Sequence, residues 1–186
     1  MISRQRGLDG IAITDHNFLC SRSADGTITL PGIEISSADG HVIGLGLSHP
    51  VKRGLSADET ISEIHGQGGV AIIPHPHDLL RSSVNPDRLL VRPDAIEVFN
   101  ASSMIHKVTW KKALASAKRA SLPMVAGSDS HIPQTVGTAF TIIDSFSYKP
   151  EAIIDGIRKG AVTPVPGTVD ISQRVRKLLL RWRDHR

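Results

Sequence analysis

Five apolar runs in this chain each close on residue types that bind metals. Residues 8–14 lead into Asp15-His16, 32–33 into Glu34, 70–74 into His75-Pro76-His77, 95–96 into Glu97, and 123–128 into Asp129-Ser130-His131. A single acid or histidine carries little information. The same chemistry at the carboxyl end of one predicted strand after another puts those ends on a shared rim. In α/β barrels that rim is where sites are built, because the strands are rigid and their loops free to vary. The pattern points to a metal centre with several ions.

The periodicity between these points is that of an α/β chain. Residues 8–14, 33–35, 41–47, 70–73, 94–99, 124–126 and 139–143 read as short strands rich in branched apolar residues. Residues 56–67 read as a helix, with Ser56 and Glu59 forming a capping box and Gly68-Gly69 beyond its end. A lysine-rich amphipathic helix is expected over 106–120, and another over 151–158 behind Pro150. Residues 1–7 resemble the end of a helix running into the first strand. Strands alternating with helices imply parallel βαβ units.

Imidazole and carboxylate suit Zn, Mn or Fe. Asp129 and His131 lie two apart, so in an extended segment both point one way. His75 continues directly from its strand, and the flanking prolines oppose helix there. His77 stays open between ligand, substrate contact and solvated loop. Glu34 sits inside an apolar stretch, where a carboxylate is costly unless paired or metal-bound. His41 opens the strand that follows. Glu97 reads either as a ligand or as a group that holds a ligating imidazole in place. His49, His65, His106 and His185 are read as structural or solvated, and Cys20 as a small loop or core residue.

With these residues in order, the chain resembles the PHP family, the polymerase and histidinol phosphatase domain. The segments that carry the likeness are GLDGIAITDHN (7–17), GIEIS (32–36) with GHVIGLG (40–46), IIPHPH (72–77), IEVFNA (96–101) and AGSDSHIPQTVGTA (126–139). The resemblance implies a distorted parallel β/α barrel of seven strands and a divalent metal cluster on its C-terminal rim. It implies hydrolysis of phosphate esters by metal-activated water. By position, Glu34 resembles the bridging carboxylate, and His41 and His75 the histidines completing one metal's site. His16 and His131 resemble ligands of another metal. Asp129 belongs to the site that Glu34 bridges, and Asp15 supports the site. Glu34, His75 and Asp129 are thus the expected catalytic centre. Arg81 and Asn100 are the expected contacts to a small phosphorylated substrate.

One family feature is absent from the sequence: a first strand bearing His-x-His with its loop and helix, a unit of roughly 20–30 residues. Met1 therefore reads as an internal start, a misassigned start codon or the start of a truncated gene. The expectation is a barrel lacking its first strand over residues 1–171, followed by a basic helix or tail over 172–186. The family's two or three metals are expected to be fewer here. An open strand edge beside the site invites pairing with a second copy.

Composition narrows the function. The chain has 186 residues and 40% hydrophobic content, which suits one domain with its own core. Its +4 charge is uneven: residues 172–186 carry six basic side chains and one acid, leaving residues 1–171 at about −1. The body lacks a nucleic-acid footprint, so a polymerase-associated nuclease is the less favoured reading and rests on the tail. An accessory domain that has lost catalysis is a further alternative. Within the tail, Val175, Leu178, Leu179 and Trp182 fall at helical spacing and are read as docking on the domain, with an anionic membrane surface as the sharper alternative. One cysteine, no signal-peptide core and no apolar run of membrane length point to the cytoplasm.

Overall fold

The computed structural model describes residues 2–20, 26–170 and 172–173. A short helix, α1 (Ile2–Gln5), leads into β1 (Gly10–Ile13). Then come β2 (Ile28–Ser37), β3 (Gly40–Leu45), α2 (Ala57–Gly66), β4 (Val70–Ile73), β5 (Ala95–Asn100), α3 (His106–Arg119) and β6 (Met124–Gly127). The chain closes with β7 (Phe140–Ile143), α4 (Pro150–Arg158) and β8 (Val162–Val165). Strands β1 to β6 form one sheet in chain order, with β1 at its edge, and β7 and β8 form a separate antiparallel pair. The six strands curl into a mostly parallel half-barrel, as a distorted β/α barrel should.

One strand departs from the parallel pattern. β3 runs antiparallel to both β2 and β4, whereas β1–β2, β4–β5 and β5–β6 are parallel. The cause is local. Residues 38–39 form a tight turn between Ser37 and Gly40, too short for the crossover that parallel strands need. Gly40 takes φ +134°, and a Cβ there would sit 2.6 Å from the Ser83 and Val84 backbone. Reversing β3 puts its first residue pair at the rim where its neighbours end.

Strand alternation divides the side chains between two layers. Ile33, Ile35, Val42, Ala71, Ile73, Ile96 and Val98 pack against Ile61 and Ile64 of α2 and Ala113 and Ala117 of α3. The opposite face carries Leu30, Leu45, Val70, Ile72, Ala95 and Val125, covered by Ile154 and Ile157 of α4. Glu34 and Glu97 share this second face by the period of two. Two boundaries differ from the sequence reading. β2 spans ten residues rather than 33–35, and β8 has no counterpart in it. Both contain proline, Pro31 and Pro164, which lowers the strand signal of a run. The tail over 172–186 lies outside the described residues except for Ser172 and Gln173, where the Asp170 carboxylate accepts from the Gln173 N–H at 3.1 Å.

Helix α2 carries the capping box read from sequence: Glu59 N–H donates to Ser56 Oγ at 3.2 Å, and Ser56 N–H donates to Glu59 Oε2 at 2.8 Å. Ser56→Ala should cost about 1 kcal/mol in urea denaturation. Ile61→Ala, in the fully buried layer between α2 and the sheet, should cost about 3 kcal/mol.

Candidate metal centre

Each ligand-type side chain reaches the rim through a specific backbone device. After β1, residues 15–17 keep pairing with β2: Glu34 N–H donates to the Asp15 carbonyl at 3.1 Å, and Asn17 N–H to the Glu34 carbonyl at 2.8 Å. That pairing sets His16 beside Glu34. His41 opens β3, diagonal to Glu34 across the antiparallel ladder, in which Ser36 pairs with His41 and Glu34 with Ile43. His75 follows β4 and is buried, with its N–H donating to Glu97 Oε2 at 2.7 Å. His75 and Asp129 adopt positive φ, +33° and +46°, as does Asn17 beside His16, at +55°. Non-glycine residues in that region are held there by their surroundings, a condition common at functional sites.

Three imidazoles converge on one carboxylate. Glu34 Oε1 lies 3.0 Å from His41 Nδ1 and 3.2 Å from His75 Nε2, and Glu34 Oε2 lies 3.4 Å from His16 Nε2. The rings stand edge to face, with centroids 4.9 Å apart for His16–His41 and 5.5 Å for His41–His75. The ligand atoms of His16, Glu34 and His41 all lie within 4.8 Å of one another. Burial alone would raise the Glu34 pKa, but hydrogen bonding and charge from His41, His75 and His16 hold it well below the usual carboxylate range. Burial pulls His75 toward neutrality, yet Glu34 and Glu97 more than offset this and raise its pKa. His75 Nδ1 is buried and has no hydrogen-bond partner among the described residues. The donor set is imidazole nitrogen around a shared carboxylate, which fits a divalent transition ion.

A second cluster adjoins the first through Glu97. Its Oε2 accepts from Asn100 Nδ2 at 3.0 Å, and the same Nδ2 lies 3.3 Å from Asp129 Oδ2. Full burial pushes Glu97 up to about 7, against the opposing influence of His75 and Asn100. Gly127 leaves room for this carboxyl, since a Cβ there would stand 2.5 Å from Glu97 Oε1. Asp129 Oδ2 accepts from Arg81 Nη1, and Arg81 Nε also faces Asp78 Oδ2 at 3.6 Å. His131, half-exposed, lies with Nδ1 3.5 Å from Asp129 Oδ1 and 3.1 Å from the Asp129 carbonyl. The structure thus gathers His16, Glu34, His41 and His75 around one point, and places Asp129, His131, Arg81 and Asn100 in a neighbouring network.

His77 turns away from both clusters. Its Nε2 meets Ser116 Oγ of α3 at 2.9 Å, and burial lowers its pKa. Sequence reasoning missed Asp78. It is almost wholly buried, accepts from Leu80 N–H at 3.1 Å and Ser103 Oγ at 2.9 Å, and ties the 78–83 loop to the loop after β5. Its only sequence signal is an acid three residues before an arginine.

A half-barrel with a histidine-rich polar centre on its rim defines the class of the fold. Residues 110–162, from α3 to the start of β8, match the PHP-associated family model. The chain is similar to a two-domain protein from Bacteroides vulgatus containing a predicted PHP-like metal-dependent phosphoesterase, with TM-score 0.65, 18% identity, and coverage of 87% of this chain and 57% of that one. It is also similar to PsfC from Pseudomonas syringae, with TM-score 0.61, 15% identity, and coverage of 96% and 84%. An amidohydrolase from Chromobacterium violaceum, solved with bound sulfate and no metal, gives TM-score 0.53, 15% identity, and coverage of 87% and 89%. Among curated proteins, two uncharacterized proteins of Methanocaldococcus jannaschii are 35% and 31% identical over 107 and 136 residues. Those stretches are 54% and 69% of this chain, which spans 63% and 55% of those relatives' lengths. Residues 110–162 thus match a PHP-associated model, and the fold is similar to that of a PHP-like protein.

The two shifted carboxyls act in separate pH windows. Glu97, raised when folded, stabilises the fold below its unfolded value of about 4.5, and that contribution is lost as pH rises through about 7. Glu34, lowered when folded, contributes above about 4.5 and loses that contribution as pH falls. For chelator-treated protein, Glu97→Gln should flatten the decline in Tm between about pH 4.5 and 7 relative to wild type, and leave the acid-side loss in place.

Proposed function

We propose that this chain is a metal-dependent phosphoesterase domain acting on a small phosphomonoester or nucleotide. The observation that carries the reading is the convergence of His16, His41 and His75 on the Glu34 carboxylate at the strand rim. Zn, Mn or Fe suits that donor set. A divalent ion held there supplies Lewis acidity and lowers the pKa of bound water.

The residues of the chain do the rest. Glu34 contributes the negative charge that balances a cation. Glu97 fixes the His75 backbone from below and, with Asn100, links the centre to Asp129. Burial of His75 keeps bulk water from one side of the centre. The lone buried Cys20 suits a reducing compartment, and we assign the domain to the cytoplasm. Among the described residues no helix is long and apolar enough to cross a membrane.

A second reading, an accessory domain without turnover, is favoured by one observation: Asp129 is engaged by Arg81. Loading the full chain with Mn or Zn and assaying p-nitrophenyl phosphate and nucleoside monophosphates separates the two. Loss of partners outside the ligand shell commonly costs 10–100-fold, so Glu34→Gln and His75→Ala should each lower kcat/KM by about 100-fold or more. Wild-type turnover no higher than that of His75→Ala would leave only the accessory reading.

A further inference from the structure

The two carboxylates at the rim are compensated in opposite ways. Among the described residues, the ionic partners of Glu34 are imidazole nitrogens, at 3.0, 3.2 and 3.4 Å. Such a nitrogen can give up its proton and turn a lone pair toward a cation. The two side chains that hydrogen-bond the Asp129 carboxylate cannot do this. Arg81 is a guanidinium that stays protonated and has no lone pair to offer, and Asn100 presents its NH2 group at 3.3 Å. His131 Nδ1 lies 3.1 Å from the Asp129 carbonyl, an acceptor, so that nitrogen carries the proton and the ring's lone pair is left on Nε2.

Arg81 is also anchored behind Asp129. Its Nε faces Asp78 Oδ2 at 3.6 Å, and its Nη2 lies 3.4 Å from the Ser102 carbonyl. Asp78 is 1% exposed. Moving Arg81 aside would strip the neighbouring cation from a buried carboxylate, an unfavourable step. A divalent ion on Asp129 beside an unmoved Arg81 would compete with the guanidinium for that carboxylate and be repelled by its charge, which Asp78 offsets only in part.

We propose that Arg81 is the resident cation of Asp129, so that the centre of this chain holds a single divalent ion at Glu34 and its three histidines. The inference rests on the metal-centre reading above and deepens it. Arg81 is then a positioning residue that sets metal stoichiometry.

Metal counting tests this without an assay of turnover. Chelator-treated full-length chain is titrated with Mn2+ by calorimetry, its bound metal is measured by elemental analysis, and its spectrum is read by electron paramagnetic resonance. Wild type should take one Mn2+ per chain with the spectrum of an isolated ion. Arg81→Ala should gain a second equivalent and a spin-coupled spectrum, whereas Arg81→Lys should stay at one. Should Arg81→Ala fail to fold by circular dichroism, Asp129→Asn decides the matter: unchanged Mn2+ affinity and a count of one support the inference, and lost affinity overturns it. Two ions in wild type would overturn the inference and leave the metal-centre reading standing, and a folded Arg81→Ala chain still limited to one would overturn the role of Arg81. No bound Mn2+ in wild type would refute the metal-centre reading itself, and this inference with it.

Discussion

A carboxylate placed among branched apolar side chains organises this molecule. Glu34 lies on the face of β2 that carries Leu30, directly above a layer sealed by α4. Removing an unpaired charge from water there would be prohibitive, so the fold must bring positive or ligating groups to it. It does so with three imidazoles from three separate strand ends. Pairing of residues 15–17 with β2, the reversal at 38–39 and the left-handed turn at His75 all serve that requirement. Positive φ at His75 and Asp129 is a local cost borne by the packed sheet beneath.

The reversal of β3 has the largest consequence for the site. In a purely parallel sheet, the first residue of a strand lies at the end opposite the rim. His41 is at the start of its strand, so a parallel β3 would carry it away from Glu34. Antiparallel pairing brings it back, diagonal to Glu34 and two residues from the hairpin turn. A hairpin thus brings His41 to the carboxylate where a βαβ unit could not, and the departure from barrel regularity is itself what completes the cluster.

Much of this was legible in the chain. The strand ends stand out because apolar runs break on acids and histidines, and the α2 capping box could be read residue by residue. Glu34 announced itself as a charge in an apolar context. The direction of β3 was encoded in the turn before it, but the alternation of strands and helices argued for parallel pairing and outweighed it. β2 and β8 were shortened or missed because Pro31 and Pro164 weaken a strand signal, although neighbouring backbones can still pair around a proline. Asp78 was illegible for a different reason. Its meaning depends on Ser103 and Arg81 meeting across two loops, and that proximity is a product of the folded sheet.

The same limit separates the two carboxylates of the rim. In sequence, Glu34 and Asp129 are equivalent acids at strand ends, each followed or faced by histidine. In space, one is ringed by nitrogens whose protons are exchangeable, the other by a guanidinium whose protons are permanent. A cation site and a salt-bridged acid differ in that respect alone. The chemistry available at each follows from the identity of the compensating group: an imidazole can serve a proton or a metal by turns, while an arginine can only remain a cation. Where Arg81 stands, a permanent positive charge is built into the chain, held by Asp78 from the buried side.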